Sequence, residues 1–412
     1  MKKVLWIFVL IVAVFLFPAC SGSYGGFDGA PSGADDSSDQ ADNGVSAGTL
    51  TAGEWNDNKH YDFFLKLFDS ADPAFPEQSR DGVFAPYRDT WNLAPLDRIA
   101  VDVKAGGAPC AGATVTLCEG EREIATAVSD ARGRAYLFPK ALDRTGTFLL
   151  KTVYGDAEQT APVTLDGEPI LSELPQAANA FRALDLCFVV DTTGSMDDEL
   201  EYLQAEIADV IAKVAQNNRN ADIRLSLLFY RDEDDLYVTR KSDFSANISA
   251  QIEFLKKQNA NGGGDYPEAV HTALEEALDL GWRQDACKLM FFVLDAPPHD
   301  TQEINRTFGN LVYRACARGV RIVPVAASGA DTLTQYLMRS AATVTNGTYL
   351  FLTDDSGVGN AHDAPTVGEY TTEYLNACLV RVINELYTGI ETAPLPIRPA
   401  SSPETETTGN AE

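Results

Sequence analysis

The chain has 412 residues, 45% of them hydrophobic and 9% aromatic, which is more than one compact domain usually holds and too apolar for a disordered or collagen-like protein. Sixty acidic against 32 basic residues leave a formal net charge of −28; such a surface repels phosphate backbones and anionic headgroups, so no nucleic-acid partner is expected, while counter-cations are attracted. Seven cysteines are ordinary usage, not the density of a small disulfide scaffold.

Lys2 and Lys3 precede an unbroken apolar run, Val4 to Phe17, and then Pro18-Ala19-Cys20. A basic start, a short apolar run and a small residue before the cut form a secretory signal. At 1.5 Å per residue the run reaches about 21 Å, short of a roughly 30 Å hydrocarbon core. With its cysteine, residues 1–20 resemble a bacterial lipoprotein signal. The resemblance implies acylation of Cys20, a membrane held through the lipid anchor only, and an extracytoplasmic address in the cell envelope. An uncleaved anchor or a plain secreted protein is the alternative. Residues 21–49 are mostly Gly, Ser, Ala and Asp, without Lys or Arg, and are expected to be a flexible acidic tether. Residues 391–412, rich in Pro, Thr and Glu, are expected to be a disordered tail.

Residues 50–96 carry Trp55, Tyr61, Phe63, Phe64, Phe68, Phe84, Tyr87 and Trp91. So much aromatic surface needs burial, and the stretch is expected to form a helix near 58–68 that packs on a neighbouring domain. From Asp97 the period becomes two: Ile99, Val101 and Val103 alternate with Arg98, Ala100 and Asp102, and turn clusters follow at Gly106-Gly107, Glu119-Gly120 and Asp130–Gly133. Short strands so punctuated predict a small all-β sandwich over 97–170. The runs PCAGATVTL (109–117) and SDARGRAYL (129–137) resemble the carboxypeptidase regulatory-like domain, an Ig-like sandwich. That resemblance implies a spacer or docking module.

From Leu184 strands and helices alternate. Buried-strand candidates are Leu184–Val190, Ile223–Tyr230, Leu289–Leu294, Val320–Ala326 and Thr348–Leu352; helical patterns lie at 196–214, 247–258, 267–280, 301–318, 331–342 and 370–388. The predicted fold is α/β, a doubly wound, mainly parallel sheet, in which ligands bind beyond the carboxyl ends of the strands. Those ends read Asp191-Thr-Thr-Gly-Ser195, Arg231-Asp232 and Asp295-Ala-Pro-Pro-His299, and the loop before the helix at 267–280 reads Gly262-Gly-Gly-Asp-Tyr-Pro-Glu268. A D-x-[ST]-x-S motif alone carries little. Placed after a buried strand, with further acidic loops on the same rim, it carries much more.

These motifs resemble the von Willebrand factor A domain with its metal-ion-dependent adhesion site, over roughly 182–390. The closest subgroup has DTTGSM, YRD, GGGDxPEA and DAPPH signatures, a set also seen fused to alpha-kinases. Carried over, the resemblance implies a Mg²⁺ site, with Mn²⁺ or Ca²⁺ as alternatives. Its ligands would be Asp191, Thr193 and Ser195, Asp265 where the family usually has a threonine, and Asp295. Hydroxyls and carboxylates at alternate positions of a tight turn suit a hard cation. Three aspartates would outweigh one divalent ion by a single negative charge, which implies a resident metal and poor capture of an acidic partner. Arg231, Asp232, Tyr266 and His299 are candidate rim residues for a protein partner, and Asp232 and His299 read equally well as plain turn residues. Asp191 and Ser195 could instead cap the helix at 196–214. Asp354–Gly357 reads as a turn before a second cation loop.

No H-E-x-x-H, G-x-S-x-G or P-loop is present, and His60, His271, His299 and His362 do not cluster by spacing, so binding is expected and no catalytic residue is assigned. Cys187 and Cys287 are expected about four residues out of step on their strands, too far apart to bond; Cys110 with Cys118, and Cys316 with Cys378, stay open. The reading is an envelope lipoprotein that binds a protein through a cation. An exported scaffold with a structural metal comes second, and a metal-dependent hydrolase third.

Overall fold

The computed structural model describes residues 46–69, 82–140, 142, 143, 145–357 and 365–397. Cys20, the expected signal, most of the tether and residues 398–412 of the tail lie outside the described residues.

The first element is a strand, β1 (Thr51–Trp55), followed by a short helix, α1 (Tyr61–Lys66). Then come β2 (Ile99–Ala105), β3 (Ala108–Pro109), β4 (Thr114–Glu119), β5 (Arg122–Val128), β6 (Arg134–Leu137), β7 (Phe148–Tyr154), β8 (Ala157–Val163) and β9 (Ile170–Leu174). They make two four-stranded sheets: β2 pairs with β3, β6 and β9, and the other runs β5-β4-β7-β8. The alternation legible in the sequence is the inside–outside alternation of β2, whose Ile99, Val101, Val103 and Ala105 are buried.

The large sheet comes next, with β10 (Ala183–Asp191), α2 (Asp197–Asn217), β11 (Asp222–Tyr230), β12 (Thr239–Ser245), α3 (Ile248–Leu255), α4 (Val270–Leu278), β13 (Ala286–Leu294), α5 (Gln302–Ala317), β14 (Val320–Ala326), α6 (Thr332–Val344), β15 (Tyr349–Leu352), β16 (Glu373–Tyr374) and α7 (Leu375–Thr388). Its order is β12-β11-β10-β13-β14-β15-β1-β16. The five strands from β11 to β15 in that order are parallel, with antiparallel β12 at one side and antiparallel β1 at the other. Every residue of β10, β13 and β14 is buried, because helices cover both faces. On one face α2, α3 and α7 supply Leu203, Ile207, Val210, Leu255 and Leu379. On the other, α4, α5 and α6 supply Leu274, Val312 and Leu337, and this core runs on into the aromatics of 50–96 and the small sheets.

The large sheet is therefore wider than 182–390. Strand β1 lies between β15 and β16, and the residue after next, Asp57, pairs in full burial with Arg339 of α6 (Nε–Oδ2 2.8 Å). The sequence hid this strand because Thr-Ala-Gly-Glu-Trp is short and shows no alternation. Asp185, a charge inside the apolar run of β10, is held by Arg224 and Arg283 (2.8 and 2.9 Å). Burial opposes its ionised form, yet these bonds keep its carboxyl below the usual range.

All six described cysteines are unpaired. Cys187 is level with Met290, and Cys287 with Leu184. The offset is three residues, not four, and it sends the two thiols to opposite faces of the sheet.

The small sheets dock at the amino ends of the large sheet's strands. Gly319, which leads into β14, lies against Val128 so closely that a Cβ there would come within 2.9 Å. Asn346 Nδ2 donates to Asp130 (3.1 Å), Arg321 to the Ser129 carbonyl (3.4 Å), and Arg132 Nε to the Gly389 carbonyl (2.8 Å). The carboxyl ends of the strands, with their acidic loops, are at the opposite end.

Candidate metal centre

Strands β10 and β13 are neighbours, Val190 beside Val293, so Asp191 is level with Leu294 and Asp295 follows one residue on, near enough at the sheet's carboxyl edge for the two charges to interact. Both are buried, at 0% and 4% exposure. Asp191 Oδ1 accepts from the Thr193 N–H (2.9 Å) and hydroxyl (2.7 Å), and that hydroxyl is 3.2 Å from Ser195 Oγ. Helix α2 receives no side-chain cap at Met196, so neither Asp191 nor Ser195 serves as the cap the sequence allowed. The turn is drawn inward by the Gly194 N–H to Gly262 carbonyl bond (3.1 Å) and the Asn261 N–H to Thr192 carbonyl bond (3.0 Å). Gly262 and Gly263 have φ of +83° and +71°, a region where a side chain is strained. A Cβ at Gly263 would stand 3.2 Å from that of Thr193 and 3.0 Å from Glu268 Oε1.

Glu268 was not among the residues expected here. It is 3% exposed, and its loop is tied to the Asp295 loop by the Glu268 N–H to Pro297 carbonyl bond (2.9 Å) and a bridge to Pro298. Asp265, expected in its place, is exposed. It forms no hydrogen bond or ion pair among the described residues, and its charge is felt at His299 instead. The available signal was position: Glu268 directly precedes the buried Ala269-Val270 pair that starts α4, whereas Asp265 sits among glycines. Tyr230, the last residue of β11, was also missed. Its buried hydroxyl faces Asp191, Asp295 and Glu268 without a well-aligned bond to any.

The electrostatics are those of crowded carboxylates, with no ion pair to Asp191, Asp295 or Glu268 among the described residues. Burial, and then the charge of Asp295, pushes Asp191 up to about 7 against its bonds from Thr193. Burial also raises Asp295, with Ser195 opposing. Glu268 is raised to about 9 by burial and then by Asp191, Asp232, Asp295 and Asp235. Asp191 Oδ2, Asp295 Oδ1 and Glu268 Oε2 are all buried without a hydrogen-bond partner among the described residues. Orphaned buried oxygens of one sign are costly and rare, and a hard cation fits them. Among the described residues no three His, Cys, Asp or Glu side chains stand together as a ready-made metal cluster; the Thr193 and Ser195 hydroxyls are the further oxygens beside Asp191.

The rim differs from expectation. Arg231 is buried, at 4% exposure. Its guanidinium is spent on the carbonyls of Thr192 (3.1 Å) and Asn259 (2.8 Å) and lies over the Tyr237 ring; it clamps loops and is no contact surface. Asp232 is also buried and meets His299 Nε2 at 2.8 Å. Asp235 accepts from the Gly263 N–H (3.0 Å), so the acidic run 231–235 is partly built into the site. Tyr266 keeps its ring half exposed while its hydroxyl sits between the carbonyls of Asp295 (3.2 Å) and Gly329 (3.0 Å). Leu236, at 85% exposure, projects from the same rim. Asp354–Ser356 is one turn of 3₁₀ helix closed by Gly357 at φ +67°, the turn that was expected.

An α/β sheet with its loops gathered at the carboxyl edge defines the class, and comparison with known proteins names it. Residues 185–342 match the sequence profile of the von Willebrand factor A domain, and the chain carries such a domain there. A putative ariadne-like RING finger protein of Acanthamoeba polyphaga mimivirus is 30% identical over 186 residues, which are 41% of this chain and 18% of that protein. The alpha-protein kinase vwkA of Dictyostelium discoideum is 30% identical over 129 residues, 31% of this chain and 20% of the kinase. The chain thus spans about a fifth of the length of these relatives. The domain itself is not catalytic and is common in protein-interaction roles.

Proposed function

We propose that this protein binds a divalent cation, Mg²⁺ foremost, through Asp191, Thr193, Ser195 and Asp295, and that the cation serves recognition of a protein partner. The observation that carries the reading is the pair of buried, neighbouring carboxylates, each with an orphaned oxygen and no ion pair among the described residues. A bound Mg²⁺ would supply the missing positive charge and keep waters open to exchange. Thr193 holds Asp191 in place through two bonds, and Ser195, exposed at the turn, is the donor best placed to meet a partner. Tyr266, His299 and Leu236 frame the approach.

The test is calorimetry with Mn²⁺ on the full chain. The wild-type protein should bind, and Asp191→Ala should not, with the near-ultraviolet spectrum retained. Equal affinity in the two removes the site assignment. A partner captured from envelope extract should be released by chelator; capture that ignores chelator favours a scaffold with a structural metal. In the same proposal the small sheets are a spacer and residues 1–20 a lipoprotein signal. Cys20→Ser should then leave unlipidated protein, and mass spectrometry of mature wild-type protein showing an unmodified Met1 terminus removes the anchor.

A further inference from the structure

Resting on the cation reading above, we infer that Glu268 is itself a ligand of the cation, a third carboxylate supplied by this chain where a hydroxyl or a partner's acid would otherwise stand. The loop that carries it is pinned twice, by backbone bonding to Pro297 and by the bridge to Pro298, so its side chain is delivered from the same wall as Asp295. Its Oε1 and the Thr193 side chain both lie within about 3 Å of the space over Gly263 that a Cβ would fill, which puts the glutamate against the metal turn. Its Oε2 is buried with no hydrogen-bond partner among the described residues. A glutamate placed only to close a helix or tie a loop would direct that oxygen to an N–H. The charges that reach it are those of Asp191, Asp232, Asp295 and Asp235, and a cation is the partner that suits such a set.

Three carboxylates make the cation resident, because ligand charge raises affinity for a hard ion. They also leave the loaded site with one net negative charge, so a partner's acidic side chain is disfavoured there and neutral oxygens are favoured.

The experiment loads the full chain with Mn²⁺. In wild-type protein carrying ¹³C-labelled glutamate carboxyls, electron–nuclear double resonance should show a directly bound carboxylate carbon; its absence overturns the inference whatever the variants do. Glu268→Gln should then lose that coupling and bind Mn²⁺ at least about tenfold more weakly, yet melt at a higher temperature than wild type in chelator. A purely structural glutamate would lower that melting temperature. Glu268→Asp, which keeps the charge on a shorter arm, should fall between the two in affinity, and Asp265→Asn should match wild type. If Glu268→Gln binds like wild type while Asp191→Ala binds nothing, this inference fails and the cation site stands. If wild-type protein binds no Mn²⁺, both fail.

Discussion

His299 shows how a rim residue of this protein responds to pH. Its Nε2 meets Asp232 at 2.8 Å. Burial opposes the charged ring, but the Asp232 bond and the charges of Asp232, Asp265 and Glu233 outweigh it, and the imidazole holds its proton above its ordinary range. A histidine raised in this way stabilises the fold fully below its unfolded value near 6.5, and that stability is lost as pH rises through the folded value. The pair is partly exposed, so the contribution is no more than about 1 kcal/mol. Wild type should therefore out-melt His299→Gln at pH 5.5 and match it at pH 9; a gap independent of pH would mean that the ring acts by packing. At this scale the sequence showed which loops carry acids and not which acid turns inward. Asp265 and Glu268 lie three residues apart in one loop, and the inward turn of Glu268 goes with its bond to Pro297, a contact 29 residues distant.

Among the elements, the strands buried on both faces were plain in the sequence because continuous apolar runs such as Leu184–Val190 have few other homes. Strands β1, β12 and β16 were not. β12 reads Thr-Arg-Lys-Ser-Asp-Phe-Ser, an edge strand whose charge guards an open side, and β16 is two residues long. β1 is held by pairing on both sides and by the turn immediately after it. Asp57 in that turn and Arg339 form a pair buried on both sides, and Arg339 also donates to Thr366 Oγ1 (2.9 Å). Removing one partner leaves a buried charge uncompensated. Asp57→Asn should accordingly cost about 3–5 kcal/mol, read from the denaturant midpoint of the full chain. A loss below about 1 kcal/mol would show that water reaches the guanidinium. A fragment beginning near residue 180 therefore lacks both a strand and the acid that neutralises Arg339, so tests of the metal centre belong on the full chain.

Across the whole molecule, the two ends of the large sheet have different work. The amino end is covered by the small sheets through Val128 on Gly319, Asp130 on Asn346 and Arg132 on the Gly389 carbonyl. The carboxyl end keeps its acidic loops open. Small sheets docked in this way leave the acidic loops facing outward and lend them no side chain, since those of the candidate site come from 191–268 and 295–299. Opening the joint should then separate shape from binding. Val128→Lys combined with Arg132→Glu places a charge against Gly319 and turns the bond to the Gly389 carbonyl into a repulsion, with Glu391 (3.2 Å from Arg132 in the wild type) adding to it. The radius of gyration in solution should grow, and protease should gain access to the link at 175–182. Mn²⁺ affinity should stay within about twofold, as expected for sites that share no partner. An unchanged radius would place the docking energy in the packing of α5 against β5, and a tenfold loss of Mn²⁺ would mean that the small sheets set the register of β13 and β14 and, through it, the spacing of the carboxylates.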